Sequence, residues 1–321
     1  MSRSPFLESI RSVLRTKHYS IQTEKAYLCW IKRFILFHHK RHPAEMAEQE
    51  VSQFLSHLAI QRQVTASTQN LALCAIVFMY KHILERELSL LDNTIRAKAP
   101  KRVPVVLSHD EVHQILRYLK PPYYLMFSIL YGSGLRKAEL LRLRVKDIDF
   151  DNQSLFVFRG KGNKDRVTIL PTSLVAPLKK QIEIVKQVHQ QDIVEGEGKT
   201  SLPAGLSRKY PYAIKDIKWQ YLFPSRTRCI HPYEGYVCRH HLHWTSLSKA
   251  LRRAVKECGI TKHITAHTFR HSFATELLKA GTDIRTVQEL LGHADLKTTQ
   301  IYTHVIGQHS SGATSPIDIG R

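Results

Sequence analysis

The residues of this chain best suited to chemistry lie in five short segments of its C-terminal two thirds. Arg136 and Glu139 stand three apart in Gly132-Ser133-Gly134-Leu135-Arg136-Lys137-Ala138-Glu139. That spacing puts them on one face of a helix starting near Leu135, where the carboxylate can brace the guanidinium. Gly160-Lys161-Gly162-Asn163-Lys164-Asp165 is turn-rich and separates two runs rich in Phe, Val and Ile, at 154–158 and 166–170. It reads as a hairpin whose basic tip projects Lys161 toward a phosphate or a leaving oxygen. In His267-Thr268-Phe269-Arg270-His271, His267 and Arg270 share a helix face. An arginine can grip a phosphate through two parallel N–H bonds. In Leu291-Gly292-His293 the glycine ends a helix and the histidine follows the cap. Tyr302 lies in Thr298-Thr299-Gln300-Ile301-Tyr302-Thr303-His304. Each segment alone has an ordinary explanation: a surface ion pair, a solvated loop tip, a capping histidine, or one of thirteen tyrosines used for packing.

Their joint order carries more. The strings YGSGLRKAELLRLRVKDID, GKGNKDR, HTFRHSFAT and LLGHADLKTTQIYTH follow one another over the whole second half of the chain. In that order and spacing the chain resembles the tyrosine recombinase family, the phage-integrase-like site-specific recombinases. Phe269 stands where leucine is commoner, a packing change only. The resemblance implies an active-site set of Arg136, Lys161, His267, Arg270, His293 and Tyr302, with Glu139 behind Arg136. It implies that Tyr302 is the nucleophile, that His267 takes its proton and that Lys161 protonates the leaving 5′-oxygen. Arg136, Arg270 and His293 then hold the non-bridging oxygens, and the product is a 3′-phosphotyrosine link. This arrangement uses no cofactor and no metal.

About a hundred residues separate Leu170 from His267, longer than a minimal recombinase requires. The strings KWQYLFPS and CRHHLHW within that stretch look like integron integrases, which carry an added segment here, at about 190–244. Those enzymes recombine gene cassettes by reading folded single strands with expelled bases. By resemblance Trp219, Pro232, His240 and His241 are candidates to hold such bases, since an aromatic face stacks on any base. Cys229, His231, Cys238, His240, His241 and His243 are possible zinc ligand types, but no C-x-x-C or H-x-x-x-H spacing occurs among them. The alternatives are a duplex-specific phage-type integrase or chromosome-dimer-resolving recombinase, and a non-catalytic DNA-binding relative.

The elements that must position these residues are mostly helical. Ser4-Pro5 reads as a cap and first helical position. Apolar stripes at Phe6, Ile10, Val13 and Leu14, at Tyr27, Trp30, Ile31 and Phe34, at Val51, Phe54, Leu55, Leu58 and Ala59, and over about 67–84 predict four helices. The expected organisation is an N-terminal helical bundle over 1–92, which by resemblance binds core DNA. A basic linker over 93–105 and a catalytic domain over 106–321 complete it. The catalytic domain opens on the capping box Ser108–Glu111. The expected fold class is mostly α with a small β-hairpin or sheet: a helical bundle plus an α+β catalytic domain. A tail over 305–321, with Ile306, Ile317 and Ile319, is expected to dock on a neighbouring copy, since the family works as a tetramer on DNA.

Composition agrees. Forty-eight Lys and Arg against 27 Asp and Glu give a net charge of +21 over 321 residues. So positive a chain attracts polyanions, nucleic acid first and a membrane surface second. Hydrophobic residues at 43% exclude a fully disordered chain. The longest apolar run, Leu71 to Tyr80, is half of what a membrane span needs. Five scattered cysteines and a start without a signal-peptide core fit a reducing cytoplasm.

Overall fold

A computed structural model describes residues 4–88, 97, 103–158, 160, 164–202 and 205–310, without the side chains of 208 and 304–310. Lys161, most of the 93–105 linker and the side chains of the 305–321 tail lie outside the described residues. The chain divides into two compact units, residues 1–102 and 103–321.

The first unit holds four helices: α1 (Pro5–Thr16), α2 (Ile21–Phe37), α3 (Glu48–Ile60) and α4 (Ala66–Ile83). Each apolar stripe turns inward except at Ala59, which is exposed at the end of the α3 stripe. Ile10, Leu14, Ile31, Phe34, Val51, Leu55, Ile76 and Met79 form one core. Ser20 and Thr65 cap α2 and α4 by accepting backbone N–H bonds from Thr23 and Thr68. Ser4 occupies the N-cap of α1 but its side chain accepts no such bond, so Pro5 alone marks that start. Glu24, buried, pairs with Arg15 at 2.9 Å and Arg11 at 3.1 Å, so its charge is compensated inside the bundle.

The second unit starts with α5 (His109–Arg117), α6 (Tyr123–Ser133) and α7 (Lys137–Arg142). The expected capping box is present: Ser108 Oγ accepts from Glu111 N–H, and Glu111 accepts from Ser108 N–H. Three antiparallel strands follow, β1 (Ile148–Asp149), β2 (Ser154–Val157) and β3 (Arg166–Ile169), in sheet order β1-β2-β3. Leu155 pairs with Ile148 on one side and with Thr168 on the other. Strand β1 is an addition to the expected hairpin; two residues are too short to show a period of two.

Helix α8 (Val175–Val194) and a four-residue turn of helix, α9 (Leu206–Lys209), lead into an irregular segment. A second small ribbon lies there, β4 (Cys229–Ile230) with β5 (Val237–Cys238). The chain closes with α10 (Trp244–Cys258), α11 (Ala266–Lys279), α12 (Ile284–Leu291) and α13 (Leu296–Ser310). The main core joins Ile115, Phe127, Leu130, Leu140, Leu155, Leu247 and Phe269. A satellite cluster of Phe273, Val287, Leu291 and Tyr302 ties α11, α12 and α13 together. Among the described residues no helix is long and apolar enough to cross a membrane. The fold is thus mostly α with small antiparallel sheets, as expected.

Candidate active site

Two left-handed glycines frame the site. Gly134 ends α6 at φ 62°, and Gly292 ends α12 at φ 63°. Each turns its chain sharply and presents a carbonyl to an arginine. Gly134 O accepts from Arg270 Nη1 at 2.5 Å, and Gly292 O accepts from Arg136 Nη2 at 3.1 Å. A side chain at either glycine would be strained and crowded: a Cβ at Gly134 would sit 2.3 Å from Phe273 Cδ1.

Arg136 sits at the N-cap of α7 with extended backbone, so the helix starts two residues later than the sequence suggests. Its partner is the expected one. Glu139 accepts from Arg136 N–H and from Arg136 Nη1, both at 2.8 Å. Arg270, on α11, is 3% exposed. Its second fork nitrogen donates to Leu291 O at 2.5 Å. Arg166, the first residue of β3, completes the group. It donates Nη1 and Nη2 to the two Glu139 oxygens at 2.9 and 2.8 Å, and Nε to Leu290 O at 2.9 Å.

Three guanidinium groups therefore surround one carboxylate. Burial works to raise the Glu139 carboxyl, but the hydrogen bonds and charges of Arg166 and Arg136 outweigh it and hold it at about 2. Burial, and next the like charge of Arg136, push Arg270 down to about 9, so it stays charged at neutral pH. Two positive charges are left over in a poorly solvated place, which is what an anion site requires.

Tyr302 comes to this group from α13. It is 3% exposed, and its hydroxyl lies 2.8 Å from His271 Nδ1. Burial raises the Tyr302 pKa, partly opposed by Arg270 and Arg136. Burial, with His267 and Arg270 nearby, lowers His271 to about 4, so this ring is neutral at pH 7. The His293 ring lies almost parallel to Tyr302, centroids 6.4 Å apart. It is anchored through Nδ1 to Thr299 Oγ1 at 2.9 Å and through its carbonyl, which accepts from Gln288 Nε2 at 3.0 Å. His267 stands one turn before His271 and is exposed. Burial against its neighbours, then the charges of Lys137, Arg270 and Arg136, lower its pKa.

The structure thus brings together Arg136, Glu139, Arg270, His293 and Tyr302, with His267 at the edge. Two residues that sequence reasoning did not single out belong to the same group, Arg166 and His271. Arg166 follows directly on the turn-rich stretch, and His271 stands four residues after His267; in both cases position is the only signal.

The remaining candidates form a second grouping. Arg144, buried, donates to Trp219 O, to Ser201 O at 2.7 Å and to Tyr221 Oη at 3.2 Å. Its guanidinium lies 4.3 Å over the Tyr221 ring. His240 and His241 pack beside that ring, 4.0 Å from each other and 5.1 and 5.2 Å from Tyr221. Lys146 Nζ approaches the Trp219 ring at 4.6 Å. Pro232 is separate and exposed, in the turn between β4 and β5. Among the described residues no group of His, Cys, Asp or Glu is arranged to hold a metal.

The buried histidines set an acid limit on stability. Burial, and next His241, lower His240 to about 4, as burial does for His271, from an ordinary 6.5. Below pH 6.5 the unfolded chain takes up protons that the folded chain refuses, so stability is complete above 6.5 and declines toward 4. The melting temperature is expected to drop steadily over that interval; a flat profile would contradict the assignment of both rings as neutral.

Residues 105–309 match the model of the Phage integrase family, and residues 6–90 match its N-terminal SAM-like domain. An Integrase/recombinase of Escherichia coli is 45% identical over 312 residues, covering 97% of this chain and 93% of that protein. Tyrosine recombinase XerC of Lactobacillus leichmannii is 30% identical over 261 residues, covering 78% and 77%. In fold, the chain is similar to the crystal structure of a lambda integrase dimer bound to a COC' core site, with a TM-score of 0.62 at 17% identity over 94% of this chain and 95% of that one. The chain belongs to the phage integrase family of tyrosine recombinases, the site-specific DNA recombinases.

Proposed function

We propose that Tyr302 cuts and rejoins DNA strands at a phosphate held by Arg136 and Arg270. The observation that carries this reading is the surplus of buried positive charge beside a buried phenol. A phosphodiester transition state spreads negative charge over its non-bridging oxygens, and two fixed guanidinium groups with the His293 ring are suited to receive it. The Tyr302 oxygen attacks phosphorus, the bond to the 5′-oxygen breaks, and a 3′-phosphotyrosine link forms. The phenol loses its proton to His267, and Lys161 gives one to the departing 5′-oxygen. His271, kept neutral to about 4, is too weak a base to drive that transfer. Its part is to hold the phenol before DNA arrives. A 5′-hydroxyl from a second strand reverses the attack, so strands are exchanged with no external energy source. The assembly is a tetramer of this chain on paired DNA sites, and it works in the cytoplasm, where the five free cysteines stay reduced.

The finer reading is integron integration: capture and excision of gene cassettes at folded single strands. The grouping of Trp219, His240 and His241 around Arg144 supports it, because it supplies aromatic faces on an added segment. Pro232 is the further contact proposed for an expelled base. Trp219→Ala should weaken binding to a hairpin with expelled bases by about 1–3 kcal/mol, roughly 5- to 150-fold. It should leave binding to the matching perfect duplex unchanged at the same salt concentration. Equal affinity for hairpin and duplex in the unaltered protein would favour the second reading, a duplex recombinase that resolves chromosome dimers, for which the similarity to XerC speaks.

A further inference from the structure

We propose that Arg166 is a positioning residue that sets the geometry of the phosphate clamp. The proposal rests on the reading of Arg136, Arg270 and Tyr302 given above. Arg166 touches three pieces of chain that are distant in sequence. Its fork engages both oxygens of Glu139, and Glu139 in turn fixes the backbone and side chain of Arg136. Its Nε donates to Leu290 O, in the last turn before Gly292 and His293. Its stem fills the space beside Gly292: a Cβ there would lie 2.7 Å from Arg166 Cδ. A Cβ at Gly160 would meet Glu139 Oε1 at 3.1 Å and Arg166 Nη1 at 3.2 Å, so the base of the β2–β3 hairpin closes over the same pair.

This arrangement fits positioning better than general support of the fold. The Arg166 side chain is 9% exposed, yet its hydrogen bonds go to Glu139 and Leu290 O, which adjoin the clamp. Here the fork locks Glu139 in the orientation that aims Arg136, while Nε fixes the turn that delivers His293 and the Gly292 carbonyl. Lysine retains the charge but has no planar fork and cannot make the three bonds at once. Arg166 thus acts on the clamp from behind, without touching the phosphate. Displacing reacting groups by about 1 Å costs about 10²-fold in rate.

The test uses the full chain and a nicked suicide duplex carrying the site that the unaltered protein selects from a randomised pool. Arg166→Lys should bind this DNA within about threefold of the unaltered protein, remain folded with a melting temperature lowered by the bonds it loses, and form covalent adduct about 10²-fold more slowly in a single turnover. Gly292→Ala, which crowds Arg166 while removing no charge, should slow adduct formation in the same way and, because its backbone is left-handed, melt lower as well. A substrate with sulfur at the bridging 5′ position needs no proton on its leaving group, so it should not restore either variant. Restoration by sulfur would overturn the proposal, because Arg166 would then act through the Lys161 hairpin. Cleavage within threefold of normal in Arg166→Lys would also overturn it. So would loss of fold in both variants, which would make the residue structural. Tyr302→Phe, run alongside, separates the two levels: adduct formed by that variant refutes the site itself, whereas normal cleavage by Arg166→Lys with an inert Tyr302→Phe refutes only the role of Arg166.

Discussion

Tyr302→Phe is expected to form no covalent protein–DNA adduct while binding its site with unchanged affinity. The change removes one oxygen from a side chain that is 3% exposed and packed with Phe273, Val287 and Leu291. Ring volume and packing remain. The hydroxyl lost is the one 2.8 Å from His271 Nδ1, and leaving that nitrogen without its partner costs about 1–3 kcal/mol of stability. That cost is small against the chemical effect, since removal of a covalent nucleophile lowers a rate by roughly 10⁶-fold. Gel analysis of trapped adduct checks the first quantity and a gel shift at fixed salt checks the second. Adduct at more than a trace, with the variant folded, contradicts the assignment.

Arg270→Lys is expected to lower cleavage by about 10²–10³-fold, the cost of losing one preorganised charge-stabilising donor. The guanidinium now holds Gly134 O and Leu291 O with its two terminal nitrogens and lies 3.9 Å from Glu139. A lysine ammonium cannot span both carbonyls, so it leaves one buried acceptor unpaired and points its charge differently. Arg270→Ala is more drastic, because it leaves both carbonyls unpaired and removes a charge near Glu139; it should cost several kcal/mol of stability as well. The two substitutions therefore separate clamp from scaffold. Arg270→Lys should bind DNA and melt moderately low, from the one unpaired carbonyl, while cleaving slowly, whereas Arg270→Ala should melt far earlier. Single-turnover cleavage with a thermal melt of each variant measures both. Normal cleavage by Arg270→Lys would show that the fork is not the phosphate clamp.

Much of this architecture is legible in the amino-acid sequence, for identifiable reasons. The four helices from Pro5 to Ile83 carry apolar residues at helical spacing, and the residues of those stripes, Ile10, Leu14, Ile31, Phe34, Val51 and Leu55, are the ones buried. Gly292 reads as a helix end because a left-handed glycine closes a helix abruptly, and its φ is positive. Arg136 with Glu139 is legible from spacing, since the contact is local. The two-residue strands β1, β4 and β5 are not, because a period of two cannot show in two residues; they exist through their pairing partners.

The same distinction separates the site residues. His271 is illegible because its partner arrives from 31 positions downstream on another helix. Arg166 opens a strand, where a charged residue is usually solvated; its burial follows from packing against Glu139 and the 290–292 turn. Local rules find the residues that aim themselves, and tertiary packing decides which others stand behind them.

The most direct measurement is to trap the covalent complex on a suicide substrate, digest it with trypsin and nuclease, and locate the nucleotide by mass spectrometry. The account predicts that the modification lies in the peptide following Lys297, on Tyr302, and on no other of the thirteen tyrosines. A linkage mapped to any other residue, or a DNA-cleaving protein that yields no linked peptide at all, would contradict it.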